Sequence, residues 1–143
     1  MEETVTACGH GNVTARHAST FEVTTDDYLT EAGDCILGIE ADRAPGDFDS
    51  AFVEACRDAD ATITATIEVR DDSGATHTET VAGRGHPSLT FEDDRSLVGR
   101  TSDYVDGRTV MVGADKSAGD LDRGLVEALA GGARLTVTLS VEA

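Results

Sequence analysis

Lysine is almost missing from this chain of 143 residues, and tryptophan is missing entirely. Aromatic residues make up 4%, prolines number two and methionines two. A core must therefore be built from aliphatic side chains. No apolar run approaches the ~20 residues needed to cross a bilayer as a helix. The start, Met1-Glu2-Glu3-Thr4, is acidic, whereas a secretory leader begins basic and turns apolar. We expect no membrane association and a cytoplasmic location. Cys8, Cys35 and Cys56 are odd in number, widely spaced and form no C-x-x-C pair, which fits reduced thiols and not a disulfide framework.

Acids are what the chain has in excess. Aspartate and glutamate total 28 against 11 basic residues, a formal net charge of −17. Lys116 is the only lysine; the other basic residues are arginines. Such a charge repels itself in dilute buffer. At about 1 M salt the Debye length is ~3 Å and the repulsion is screened. The acids are spread along the whole chain, so a halophilic composition explains them better than one acidic docking face. The same charge disfavours sequence-independent nucleic-acid binding, which relies on cation–phosphate contacts.

The chain also repeats itself. Residues 3–28 lie over 79–104 without a gap, and nine of these 26 positions are identical, among them Gly9/Gly85, His10/His86 and the Asp27-Tyr28/Asp103-Tyr104 pair. After small gaps, Ala41-Asp42-Arg43 lies over Ala114-Asp115-Lys116, and Gly46-Asp47 over Gly119-Asp120. We expect a single domain over 1–143, with one unit at 2–70, a hairpin turn at 71–74 and a second unit at 75–143.

Each unit reads as strand, strand, strand, helix, strand. Segments 3–8 and 13–23 are rich in Thr and Val. Ile36-Leu37-Gly38-Ile39 and Val110-Met111-Val112 are short apolar runs suited to covered strands. Pro45 and Ser117 mark helix starts. Phe48, Phe52, Val53 and Cys56 form an apolar stripe, repeated by Leu121, Leu125, Val126 and Leu129. Residues 61–70 and 135–141 alternate with period two. Asp71-Asp72-Ser73-Gly74 should turn a hairpin between 61–70 and 75–82, and 135–141 should lie beside 3–8. The expected fold is α+β, mainly β: two helices on a barrel-like sheet with pseudo-two-fold symmetry.

Gly9-His10, Asp27-Tyr28-Leu29-Thr30, Gly33-Asp34-Cys35-Ile36-Leu37-Gly38-Ile39, Gly83-Arg84-Gly85-His86-Pro87 and Ala114-Asp115-Lys116 together resemble the archaeal domain-of-unknown-function 371 family, over nearly the whole chain. The resemblance implies a stand-alone protein and carries over no catalytic residue. A second likeness is to cradle-loop barrels, which are also duplicated β-rich units. Their Gly-Asp strand start looks like Gly33-Asp34, but the second unit has Gly107-Arg108 there.

The duplication serves as a filter for function. Positions kept in both units serve the scaffold or a two-fold site, and polar residues of one unit alone mark a special task. His10 and His86 each follow a glycine at a strand end. Brought together at a dyad, with an Asp or His17, they would bind a metal or a phosphate; apart, each is a turn histidine. The cysteines face Arg84, Thr109 and Leu129 in the other copy, so no symmetric thiolate site is expected, and we assign no metal. Lys116 sits before a helix start, where backbone N–H groups favour anions, and Asp115 adjoins it. Its bland alternative is a surface lysine paired with nearby acids. Arg84 and Arg100 face Cys8 and Thr24, so they are extra cations of the second unit. The leading expectation is a binding module for a small anionic ligand near His10, His86, Arg84, Arg100, Asp115 and Lys116. The alternatives are an enzyme with a histidine general acid–base, and a structural or protein-interaction domain, for which a homodimer is one form. The sequence leaves the cofactor unknown.

Overall fold

The computed structural model describes residues 1–142 and contains two four-stranded sheets and two helices. The strands are β1 (Glu2–Cys8), β2 (Thr20–Thr24), β3 (Ile36–Gly38), β4 (Thr62–Arg70), β5 (Thr76–Arg84), β6 (Ser96–Arg100), β7 (Thr109–Met111) and β8 (Arg134–Glu142). The helices are α1 (Ser50–Cys56) and α2 (Arg123–Ala130). The fold is therefore α+β and mainly β.

The first sheet has the order β1-β8-β4-β5 and is antiparallel throughout. Its alternation follows the sequence. Ile63, Ala65, Ile67 and Val69 on β4 are buried, as are Leu135, Val137, Leu139 and Val141 on β8, while the intervening residues face water. The second sheet has the order β3-β2-β6-β7, with parallel outer pairs β2–β3 and β6–β7, each carrying one register shift. Strand β6 is buried at every position. Gly99 lies under the Phe21 ring, where a Cβ would sit 2.1 Å from a ring carbon, so only glycine fits. Buried Leu37, Leu97, Leu125 and Leu129 complete one core. Truncating one of these leucines to alanine costs about 2–5 kcal/mol.

The sheets do not close into the expected barrel. Strands β1 and β5 remain edges because loop residues take up their outward backbone groups. Thr6 N–H donates to Asp42 Oδ1 and Thr6 C=O accepts from Asp42 N–H, both at 2.9 Å. On β5, Ala82 makes the same two bonds with Asp115, at 3.0 and 2.9 Å. Among the described residues the isolated bridges Cys8–Ile39 and Arg84–Val112 link β1 and β5 to the chain that follows β3 and β7. A blocked edge also resists pairing with another chain.

Two local expectations change. The strand expected over 13–23 begins only at Thr20. Ahead of it the chain bends through Ala15, at φ 47°, and the carbonyls of Thr14 and Ala15 bond the Arg123 guanidinium and not a neighbouring strand. Pro45 and Ser117 open single 3-10 turns, at Pro45–Asp47 and just before Ala118–Asp120, ahead of the helices. The helices proper are capped by the carboxylates of Asp49 and Asp122.

Candidate functional site

The six residues singled out by sequence do not share one place. Cys8, two residues before His10, pairs with Arg134 where β8 begins. Arg84, two residues before His86, pairs with Thr62 where β4 begins. Because β4 and β8 run antiparallel, these are diagonal corners of the first sheet, roughly 30 Å apart by strand rise and spacing. The histidines thus do not meet. Each ring accepts a backbone N–H two residues on through Nδ1, from Asn12 and from Ser88, both at 3.0 Å. His17 likewise turns Nδ1 to the Ser19 and Thr20 amides.

Lys116 donates to Glu79 Oε2 at 3.2 Å and to the Thr80 carbonyl at 2.9 Å. Arg43 makes the corresponding contacts with Glu3 and the Thr4 carbonyl. Arg100 is buried, donates to Thr109 Oγ1 and Asp106 Oδ2, and stacks over the Tyr104 ring at 4.8 Å. Asp115 holds the β5 edge. Arg84 is exposed and lies across Gly113, a residue at φ 59°. Four of the six therefore surround the corner where β5 meets the 112–116 loop, and three of those four are occupied by scaffold contacts.

Two of the three thiols, on Cys35 and Cys56, are not poised for chemistry. Burial, with the Glu22 charge, pushes Cys35 up to about 11, and burial pushes Cys56 up to about 12. Both are neutral near pH 7 and poor nucleophiles or metal ligands. Among the described residues no group of three His, Cys, Asp or Glu side chains could hold a metal ion.

A different place has the form of a binding site. Between the 13–16 bend and α2 lies an open cleft of about 310 Å³. Val13, Val126 and Ala130 give it an apolar wall. Arg16 and Thr14 stand on one side, Arg123 and Glu127 on the other. Arg16 has no side-chain hydrogen bond or ion pair among the described residues. Arg123 is anchored by the carbonyls of Thr14, Ala15, Ala118 and Leu121, with no carboxylate in salt-bridge contact. Among the described residues neither guanidinium has a carboxylate in salt-bridge contact, and the two flank one apolar wall. The volume is at the lower end of the range for small-molecule sites, ~300–1,000 Å³.

Sequence reasoning passed over these residues, although its own filter points to them. In the alignment of the two halves Ala15 faces Phe91, Arg16 faces Glu92 and Arg123 faces Ser50. Phe91 packs its ring 5.9 and 6.0 Å from Phe48 and Phe52, filling the region beside α1. Ala15 has no ring to do the same beside α2.

Comparison with known proteins adds kinship. Residues 5–142 match the family described as "Domain of unknown function (DUF371)". An uncharacterised protein of Methanocaldococcus jannaschii is 40% identical over 141 residues, which cover 99% of this chain and the whole of that one.

Proposed function

The chain belongs to the domain-of-unknown-function family DUF371, and on that footing we propose that it is a binding module for a small organic anion with a short apolar body. The site is the cleft between Arg16 and α2. The ligand's carboxylate or phosphate lies against Arg16, with Arg123, whose N–H donors are engaged by carbonyls, contributing its charge alone, and its carbon skeleton packs on Val13, Val126 and Ala130. The observation that carries this reading is a pair of arginines beside an apolar wall, neither in salt-bridge contact with a carboxylate among the described residues, in a chain of net charge −17. Charge-assisted bonds to guanidinium supply the specificity for an anion.

We read the two halves as copies of one ancestral unit. The matched contacts support this: Arg43–Glu3 with Lys116–Glu79, Asp42–Thr6 with Asp115–Ala82, and the two shifted parallel strand pairs. On this reading the cleft arose where the first copy lost the aromatic ring that the second keeps.

Calorimetric titration in molar KCl tests the site, with isobutyrate, 2-oxoisovalerate and inorganic phosphate as probes. Binding of the branched carboxylates that Arg16→Ala weakens at least tenfold is the expected result. Arg16→Ala leaves melting unchanged, because the Arg16 side chain makes no hydrogen bond or ion pair among the described residues. Heats that are absent for every probe, or unaffected by Arg16→Ala, overturn the assignment.

A further inference from the structure

The outward face of the β1-β8-β4-β5 sheet is uncovered: every even-numbered residue on its strands is exposed or half-exposed. Its chemistry departs from that of the whole chain. It carries three carboxylates, Glu2, Glu68 and Glu142, and three guanidinium groups, on Arg70, Arg84 and Arg134. It is therefore balanced, while the chain as a whole has a net charge of −17. Apart from Cys8 and Ala82, all its other residues are Thr or Ser.

We propose that this face joins two copies of the chain as a symmetric dimer, with the two-fold axis lying in the interface and crossing the strands along the row Thr4, Thr138, Thr66 and Thr80. These four threonines are cross-strand neighbours through the whole sheet. Threonine gives a partner both a methyl and a hydroxyl, and the row has no charge to desolvate.

The charges choose the axis. At one end of the face Arg134 pairs directly with Arg70. Like charges opposite one another work against the sheet that holds them. Neither arginine forms an ion pair among the described residues. At the other end stand Glu142 and Glu2, on β8 and β1. On β8, Arg134 and Glu142 are equally distant in sequence from Thr138. An axis across the strands therefore lays Arg134 of one copy on Glu142 of the other, twice, and brings Arg70 beside it. An axis along the strands would instead lay Arg134 on the second copy's Arg70, twice. Only the first arrangement relieves the arginine pair.

The size suffices. Four strands at ~4.8 Å spacing and nine residues at ~3.4 Å rise give a face of roughly 550–600 Å². Two such faces bury somewhat more than the ~1,000 Å² expected of a specific interface. The face shares no residue with the cleft beside α2, so the two proposals stand or fall separately.

Sedimentation velocity of the full chain in molar KCl reads the result. Wild type is expected at twice 14.9 kDa. Arg134→Glu and Glu142→Arg should each raise the dimer dissociation constant about tenfold or more, and the double variant should restore it. Thr138→Arg should abolish the dimer, with circular dichroism reporting that the fold is kept. A wild type that is monomeric at every concentration overturns the proposal. So does a double variant no tighter than the single ones, or a dimer that survives Thr138→Arg.

Discussion

Lys116 Nζ lies 3.2 Å from Glu79 Oε2, and Glu79 uses its other oxygen to accept the Asp122 N–H at 2.7 Å. One ion pair thus ties the inner side of β5 to the residue that caps α2. Glu3 does the same for β1 and α1, accepting from Arg43 and from the Asp49 N–H. The single lysine of the chain is a clamp between an edge strand and a helix start.

Lys116→Ala should therefore lower stability by about 1 kcal/mol, since the pair is partly exposed and one carbonyl loses a donor. Lys116→Arg should recover most of it, because arginine fills the matching place at Arg43. Chemical denaturation checks both. Anion titration should be unchanged in either variant. A lysine variant of full stability but lost binding would return the site to this corner.

Asp106 gives a prediction in pH. Burial raises its pKa, but hydrogen bonds from the Arg108 side chain and backbone, with the charges of Arg100 and Arg108, outweigh this and bring it down to about 2. The folded value is below the unfolded one, near 3.9. The stabilisation is thus complete above about pH 4 and is lost as the pH falls toward 2. Asp106→Asn should flatten the acid limb of a stability–pH curve in that window. It should also lower stability near neutral pH, because buried Arg100 loses its carboxylate. An unchanged acid limb would mean that Asp106 is not the group responsible.

Most of the architecture was legible in the sequence, for a physical reason. Alternation on β4 and β8, the Asp71–Gly74 turn and the apolar stripe of α2 are local patterns that dictate burial directly. Closure was not local. Whether β1 and β5 pair depends on what else satisfies their backbone, and the answer lay in Asp42 and Asp115, remote in sequence from the strands they seal. The site misled for a related reason. Scarcity drew attention to Lys116 and repetition to the two histidines, but scarcity and repetition also mark scaffold parts. Arg16 and Arg70 were missed because a cation's significance depends on whether a carboxylate reaches it. That is a property of register and packing, not of residue type.

The charge leads to the last prediction. Among the described residues five of the 28 carboxylates pair with an arginine or the lysine: Glu3, Asp26, Glu54, Glu79 and Asp106. Most of the remainder are on the surface, where their repulsion is opposed by nothing but the solvent. Unfolding spreads these charges apart, so dilute buffer favours the unfolded chain. Raising ionic strength from about 0.01 M to 1 M shortens the Debye length from ~30 Å to ~3 Å and removes most of that repulsion. Far-UV circular dichroism during a KCl titration should therefore show the folded spectrum emerging with salt, and the melting temperature should keep rising toward molar KCl. Replacing exposed acids such as Glu31, Asp72 and Asp94 with their amides should shift the midpoint to lower salt, because each removes a repelling charge without touching the core. A spectrum and melting temperature independent of KCl would show that the surplus acids are tolerated and not balanced by salt.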